Sequence, residues 1–140
     1  MIKMMAAAAF FTALVSCNST PKTALTDGEW VLHSMVNHAG EEMVVTQNKP
    51  TINFTDSARV NGSAGCNGYF GIYEVTGQDI KIDLGGMTMK MCLDMEVENA
   101  FTSQMPSVTN YEIEGNQLLL KNQNKEEIFR FDHVAPAAQQ

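Results

Sequence analysis

The stretch "NGSAGCNGYFGIY", Asn61 to Tyr73, places Gly62, Gly65, Gly68 and Gly71 three residues apart. A phosphate cradle of the P-loop type needs Gly-Lys-Ser/Thr opening a helix, whereas here aromatics and an extended pattern follow. Within a strand, a spacing of three alternates between faces. The glycines therefore suit a tight bend or bulge where backbone approaches backbone. The stretch reads as the corner of a small barrel.

Short runs on either side carry strand patterns. They are Trp30 to Val36, Glu42 to Thr46, Thr51 to Thr55, Tyr69 to Val75, Asp79 to Leu84, Met87 to Cys92, Asn110 to Glu114, Gln117 to Lys121 and Glu127 to Phe131. The clearest alternations set Ile80, Ile82 and Leu84 against Lys81 and Asp83, and Tyr111 and Ile113 against Glu112 and Glu114. Turn residues at Glu114-Gly115-Asn116-Gln117 and Asn122-Gln123-Asn124-Lys125 make the last three strands a meander. One segment breaks the pattern: Val97, Phe101 and Met105 recur every four residues with Ala100 beside them, which predicts a helix over 94–105. Asp94 is placed to cap it, Glu96 and Glu98 suit its positive end, and Pro106 stops it. Many strands and one short α-helix predict a mainly β fold, a small antiparallel barrel or strongly curved sheet.

The run "GGMTMKMCLDME", Gly85 to Glu96, is rich in sulfur. Thioethers are soft ligands of the kind that select copper(I). On an extended strand Met87, Met89 and Met91 share one face, while Cys92 lies on the other with Thr88 and Lys90. The favoured reading packs the three methionines into the interior, where methionine fills irregular space. A copper(I) site on Met87, Met89 and Met91 is the minority alternative, and no other metal or cofactor is expected.

At the N-terminus an apolar run from Met4 to Val15 follows Lys3 and is too short to span a bilayer. Leu14-Val15-Ser16-Cys17 resembles a bacterial lipobox, which implies cleavage before Cys17 and acylation of that cysteine. Each buried methylene adds about 0.8 kcal/mol, so several acyl chains anchor stably. The expected organisation is a signal peptide over 1–16, a flexible lipid-anchored tether over 17–27, one domain over 28–133 and a polar tail over 134–140. The chain carries a net charge of −7 without a basic cluster, which argues against nucleic acid as a partner. Lipidation of Cys17 leaves Cys66 and Cys92 as a candidate disulfide in an exported domain, with two buried free thiols as the alternative.

Trp30-Val31-Leu32, Pro50 to Phe54, Val60 to Asn67 with Gly71 and Tyr73, Thr88 to Cys92, Glu98 to Phe101, and Leu118 to Leu120 stand in one order. That ordered set resembles the META domain, or HslJ-like, family of bacterial envelope lipoproteins over roughly residues 30–131. The resemblance implies a compact, mainly β domain, with associations to heat shock, drug tolerance and motility or secretion in some members. It implies no catalytic residues. Trp30, Gly62, Gly65, Asn67, Gly71, Tyr73 and Thr88 match its motif as structural positions.

Catalytic patterns are weak. Gly62-Ser63-Ala64-Gly65 misses the nucleophile-elbow spacing, and His33, His38 and His133 are far apart without carboxylate-paired motifs, His133 in the polar tail. No zinc spacing is present. The expectation is a non-catalytic, monomeric lipoprotein of the bacterial envelope. It would be anchored in the outer membrane facing the periplasm, and would support envelope integrity or stress tolerance by binding a protein or envelope component. The alternatives are a periplasmic carrier of a small apolar ligand or copper(I), and behind that a hydrolase.

Overall fold

A computed structural model describes residues 23–136. Nine strands follow in chain order: β1 (Glu29–Val36), β2 (Glu42–Val44), β3 (Thr51–Phe54), β4 (Arg59–Ser63), β5 (Gly68–Thr76), β6 (Asp79–Met87), β7 (Asn110–Glu114), β8 (Gln117–Lys121) and β9 (Glu127–Val134). Helix α1 (Glu96–Gln104) and a 3₁₀ turn (Met105–Ser107) lie between β6 and β7. Every pairing is antiparallel, in the order β2-β1-β3-β4-β5-β6-β7-β8-β9, and β1 pairs with β9 to close the ring. The expected antiparallel barrel with one short helix is what forms.

Closure is uneven. β5 and β6 are paired along their length, from Thr76↔Asp79 to Tyr69↔Met87, but β6 meets β7 in register only at Asp79↔Asn110. From Lys81 onward β6 has no strand neighbour on that side among the described residues. Helix α1 lies at this opening and sends Phe101 into the core, followed by Met105 of the 3₁₀ turn. Phe101 lies between Tyr69 and Phe129, with ring centroids 5.8 and 5.4 Å away. Trp30, Leu32, Ile52, Leu118, Leu120, Phe129 and Phe131 fill the rest of the interior, which is packed rather than hollow.

The period-two pattern accounts for most of this packing. In β1, Trp30 and Leu32 point inward, but a register shift against β9 between Leu32 and Ser34 changes the parity, so Ser34 and Met35 are buried next. A second shift, between Phe70 and Gly71, bends β5 against β6.

Several expectations change. Arg59–Ser63 is a strand, so the glycine-rich stretch is two strands joined by a corner at residues 64–67 rather than a corner throughout. Residues 88–92 are not a strand, because β6 ends at Met87. Helix α1 starts at Glu96 with Met95 at its cap position, and Asp94 accepts from the Glu96 amide at 2.9 Å without capping the helix. Pro106 does stand in the 3₁₀ turn where α1 ends. The expected tether overlaps the fold: Leu25 is buried in the core, and its carbonyl accepts from Trp30 Nε1 at 2.8 Å. His133 belongs to β9 rather than to a tail; its ring lies 5.0 Å from that of Trp30.

Candidate functional site

The corner between β4 and β5 is built around Asn67. Its amide nitrogen donates to Glu98 Oε2 and its Nδ2 to Glu98 Oε1, both at 2.6 Å. Nδ2 also donates to the Lys90 carbonyl at 3.0 Å. Oδ1 accepts from the Lys90 amide at 2.7 Å and from Thr88 Oγ1 at 2.9 Å. An asparagine carboxamide offers two donors and two acceptor lone pairs, and all are in use. The Cys66 amide adds a third bond to Glu98, on Oε2 at 2.9 Å. Asn67 and Glu98 are both buried, and a buried carboxylate is tolerated when such donors replace its water.

The charge state follows from these contacts. Burial pushes the Glu98 carboxyl up, but the Asn67 side chain, the Asn67 and Cys66 amides and the positive charge of Lys90 outweigh it. The group is held below the ordinary carboxylate range. In the sequence Glu98 looked like a residue favouring the helix dipole. Its position two residues from Glu96 gave no sign that it would turn inward to hold a corner 31 residues away.

Cys66 and Cys92 are joined by a disulfide, with Cα atoms 6.1 Å apart. Together with the Asn67 bonds, it fastens Thr88, Lys90 and Cys92 of the segment linking β6 to α1. The residues between them face outward: Met89 is 91% exposed, Met91 86%, and Leu93 is fully exposed. The expected alternation does not hold through this run: Met87 packs against the core, but residues 88–94 are all exposed, and the segment is held to the body through Thr88 Oγ1, the Lys90 backbone and the Cys92 disulfide. Of the three methionines expected in the interior, only Met87 packs against the core.

The other motif positions have structural roles. Trp30 anchors the core. A Cβ at Gly62 would lie 2.0 Å from the Thr51 carbonyl, which accepts from Tyr69 Oη at 2.7 Å, and a Cβ at Gly71 would lie 2.0 Å from the Asp83 carbonyl. Gly65 turns the corner at φ +124°. Tyr73 Oη donates to the Thr55 carbonyl at 2.8 Å, and its ring meets Phe54 edge-on. Burial, with a smaller contribution from Glu29, pushes the Tyr69 phenol well up, so it serves as a hydrogen-bond donor.

Two histidine pairings escaped the sequence, because each joins distant segments. His33 Nδ1 lies 3.0 Å from Asp132 Oδ2 on the outer surface. Asp132 is held below the ordinary range by the Gln117 side chain, which outweighs burial, with His33 adding to the effect. His38 Nε2 lies 2.7 Å from Ser103 Oγ, but that hydroxyl also bonds back to the Asn99 carbonyl at 2.6 Å, one helical turn earlier.

A groove of about 460 Å³ runs along the unpaired side of β6. Ile82, Leu84 and Met87 line one wall, and Met105, Pro106 and Val108 the other. Thr23 and Ala24 lie near Gly77 and Gln78, at the start of β6. The Met89–Leu93 segment follows its far end, about 27 Å along the strand. The lipobox and Cys17 lie outside the described residues, and among the described residues no helix is long and apolar enough to cross a membrane.

A closed antiparallel barrel, plugged at its weak seam by one helix and fastened by a Cys66–Cys92 bridge, defines a small mainly β domain. The chain belongs to the META domain family, whose pattern it matches over residues 23–135. The fold is similar to the NMR structure of a protein from Burkholderia xenovorans, at 20% identity and a TM-score of 0.64, covering 97% of this chain and 100% of that one. It is also similar to the crystal structure of a DUF4847 family protein from Bacteroides vulgatus ATCC 8482, at 14% identity and a TM-score of 0.59, covering 80% of this chain and 96% of that one. No curated protein matches the chain.

Proposed function

We propose that this META domain is a non-catalytic lipoprotein of the bacterial envelope. Acyl chains on Cys17 hold it at the outer membrane, facing the periplasm, and it works as a monomer that binds another envelope protein or component and so supports envelope integrity or stress tolerance. The observation that carries the reading is the outward-facing Met89–Leu93 segment. Exposed apolar residues cost little on a mobile loop, but here the disulfide and the Asn67 bonds fix them in place. Fixing a contact surface before binding lowers the entropy lost on association. Methionine suits such a surface because its unbranched side chain adapts to varied partners.

Orientation supports the same reading. Thr23 lies near the start of β6, the end opposite this segment, so the attachment of the proposed tether does not cover the apolar residues. The filled interior gives no support to a carrier holding its ligand inside the barrel.

The test places a photo-crosslinking amino acid at Leu93 or at Gly77 in intact cells. Discrete adducts from position 93, with none from position 77, are expected. Adducts from position 77 alone, or from neither, would overturn the binding surface. Anchoring is tested separately: wild type should incorporate radiolabelled palmitate and Cys17→Ala should not. An unlabelled wild type that still sediments with membranes would remove the lipoprotein assignment.

A further inference from the structure

We propose that Met89 and Met91 form an exchangeable two-thioether site for a soft monovalent cation, copper(I) or silver(I). The described methionines divide by environment. Met35 and Met105 are fully buried, and Met43 and Met87 pack against the core. Met95 is half-buried at the cap position of α1, whereas Met89 and Met91 are exposed to water, two residues apart in a segment tethered through Thr88, the Lys90 backbone and Cys92. Two residues apart, their Cα atoms stand no more than about 7 Å from each other, and two flexible side chains can converge on one ion. Thioether sulfur selects copper(I) over the harder divalent ions.

The surroundings fit a weak, open site. Both nearby cysteine sulfurs are spent in the disulfide, so no thiolate competes for the ion or locks it in place. Among the described residues no group of three or more histidine, cysteine, aspartate or glutamate side chains is placed to hold a metal. Two neutral donors leave the ion's remaining positions to water or to a donor from another molecule, and that permits transfer. Leu93, also exposed, supplies no donor but adds an apolar neighbour. The reverse orientation, with Met89 and Met91 packed inward, would have removed both sulfurs from reach.

The site is read by NMR of the oxidised protein carrying ¹³C-methyl methionine, titrated with silver nitrate in chloride-free buffer. The Met89 and Met91 methyl resonances should move together and saturate at one equivalent, while those of Met35 and Met105 stay in place. The Met89→Leu/Met91→Leu double variant should keep the wild-type urea midpoint and bind silver at least tenfold more weakly. Copper(I), held reduced by ascorbate and set against a chromogenic copper(I) chelator, should show the same loss. Unmoved Met89 and Met91 methyls, equal binding by the double variant, or shifts spread over all methionines without saturation at one equivalent would each overturn the site.

Discussion

The Asn67 carboxamide and the Glu98 carboxylate are joined by a 2.6 Å hydrogen bond, and a second 2.6 Å bond runs from the Asn67 amide to the same carboxylate. This pair ties the corner between β4 and β5 to the first turn of α1 and, through Lys90, to the segment between them. Cutting it leaves buried polar groups without partners, which costs more than the bond itself contributes. Glu98→Gln replaces one of the two acceptor oxygens with an NH2 group, which faces the Asn67 Nδ2 donor if the remaining oxygen keeps the Cys66 and Asn67 amides. The expected loss is about 2–3 kcal/mol in urea unfolding. Asn67→Ala should cost at least as much, because it also releases the Lys90 backbone. An unchanged urea midpoint in either variant would contradict the role given to the pair.

Acid should weaken the protein partly through Glu98. Its folded pKa is lowered relative to the unfolded chain, so its contribution is complete above the ordinary carboxylate range. The contribution is lost as pH falls from that range through the lower folded value. Asp132 contributes with the same sign. The urea midpoint of wild type should therefore fall more steeply than that of Glu98→Gln as pH drops from about 5 through the ordinary carboxylate range and below it. Parallel curves would show that Glu98 is not the titrating group.

Opening the disulfide removes a constraint on a loop whose ends are 26 residues apart in sequence, and the chain-entropy relation gives a loss of about 3.5 kcal/mol. The Cys66→Ala/Cys92→Ala variant should show this drop, with proteolysis appearing first between Thr88 and Leu93. Mass measurement after alkylation without reductant should find neither thiol free in the wild type.

Glycine substitutions should separate by backbone clearance. At Gly62 and Gly71 a Cβ would lie 2.0 Å from a carbonyl oxygen of the adjacent strand, whereas at Gly68 the nearest atom is 3.7 Å away. Gly62→Ala and Gly71→Ala must push strands apart and should yield little folded protein. Gly68→Ala should stay within about 0.5 kcal/mol of wild type. Circular dichroism and urea melts of the three variants make the comparison.

Much of the barrel was legible along the chain. The alternation of Ile80, Ile82 and Leu84, the meander of β7 to β9 and the stripe of Phe101 and Met105 each report a local period, and local periods survive folding. The β4 strand was hidden because Gly62 and the glycines that follow it resemble a turn. Gly62 instead allows the Thr51 carbonyl to come close.

The sequence by itself determined the β character and the helix, because side chains alternate along a strand and recur every turn along a helix. Only the tertiary structure decided where β6 ends and which residues of 87–93 meet the core. Period two fixes which residues share a face, and the orientation of that face depends on partners distant in the chain. Here β6 ends at Met87, and Asn67 and Cys66 tether Thr88, the Lys90 backbone and Cys92 in an exposed segment, so Met89 and Met91, which by composition belonged in the core, stand in solvent.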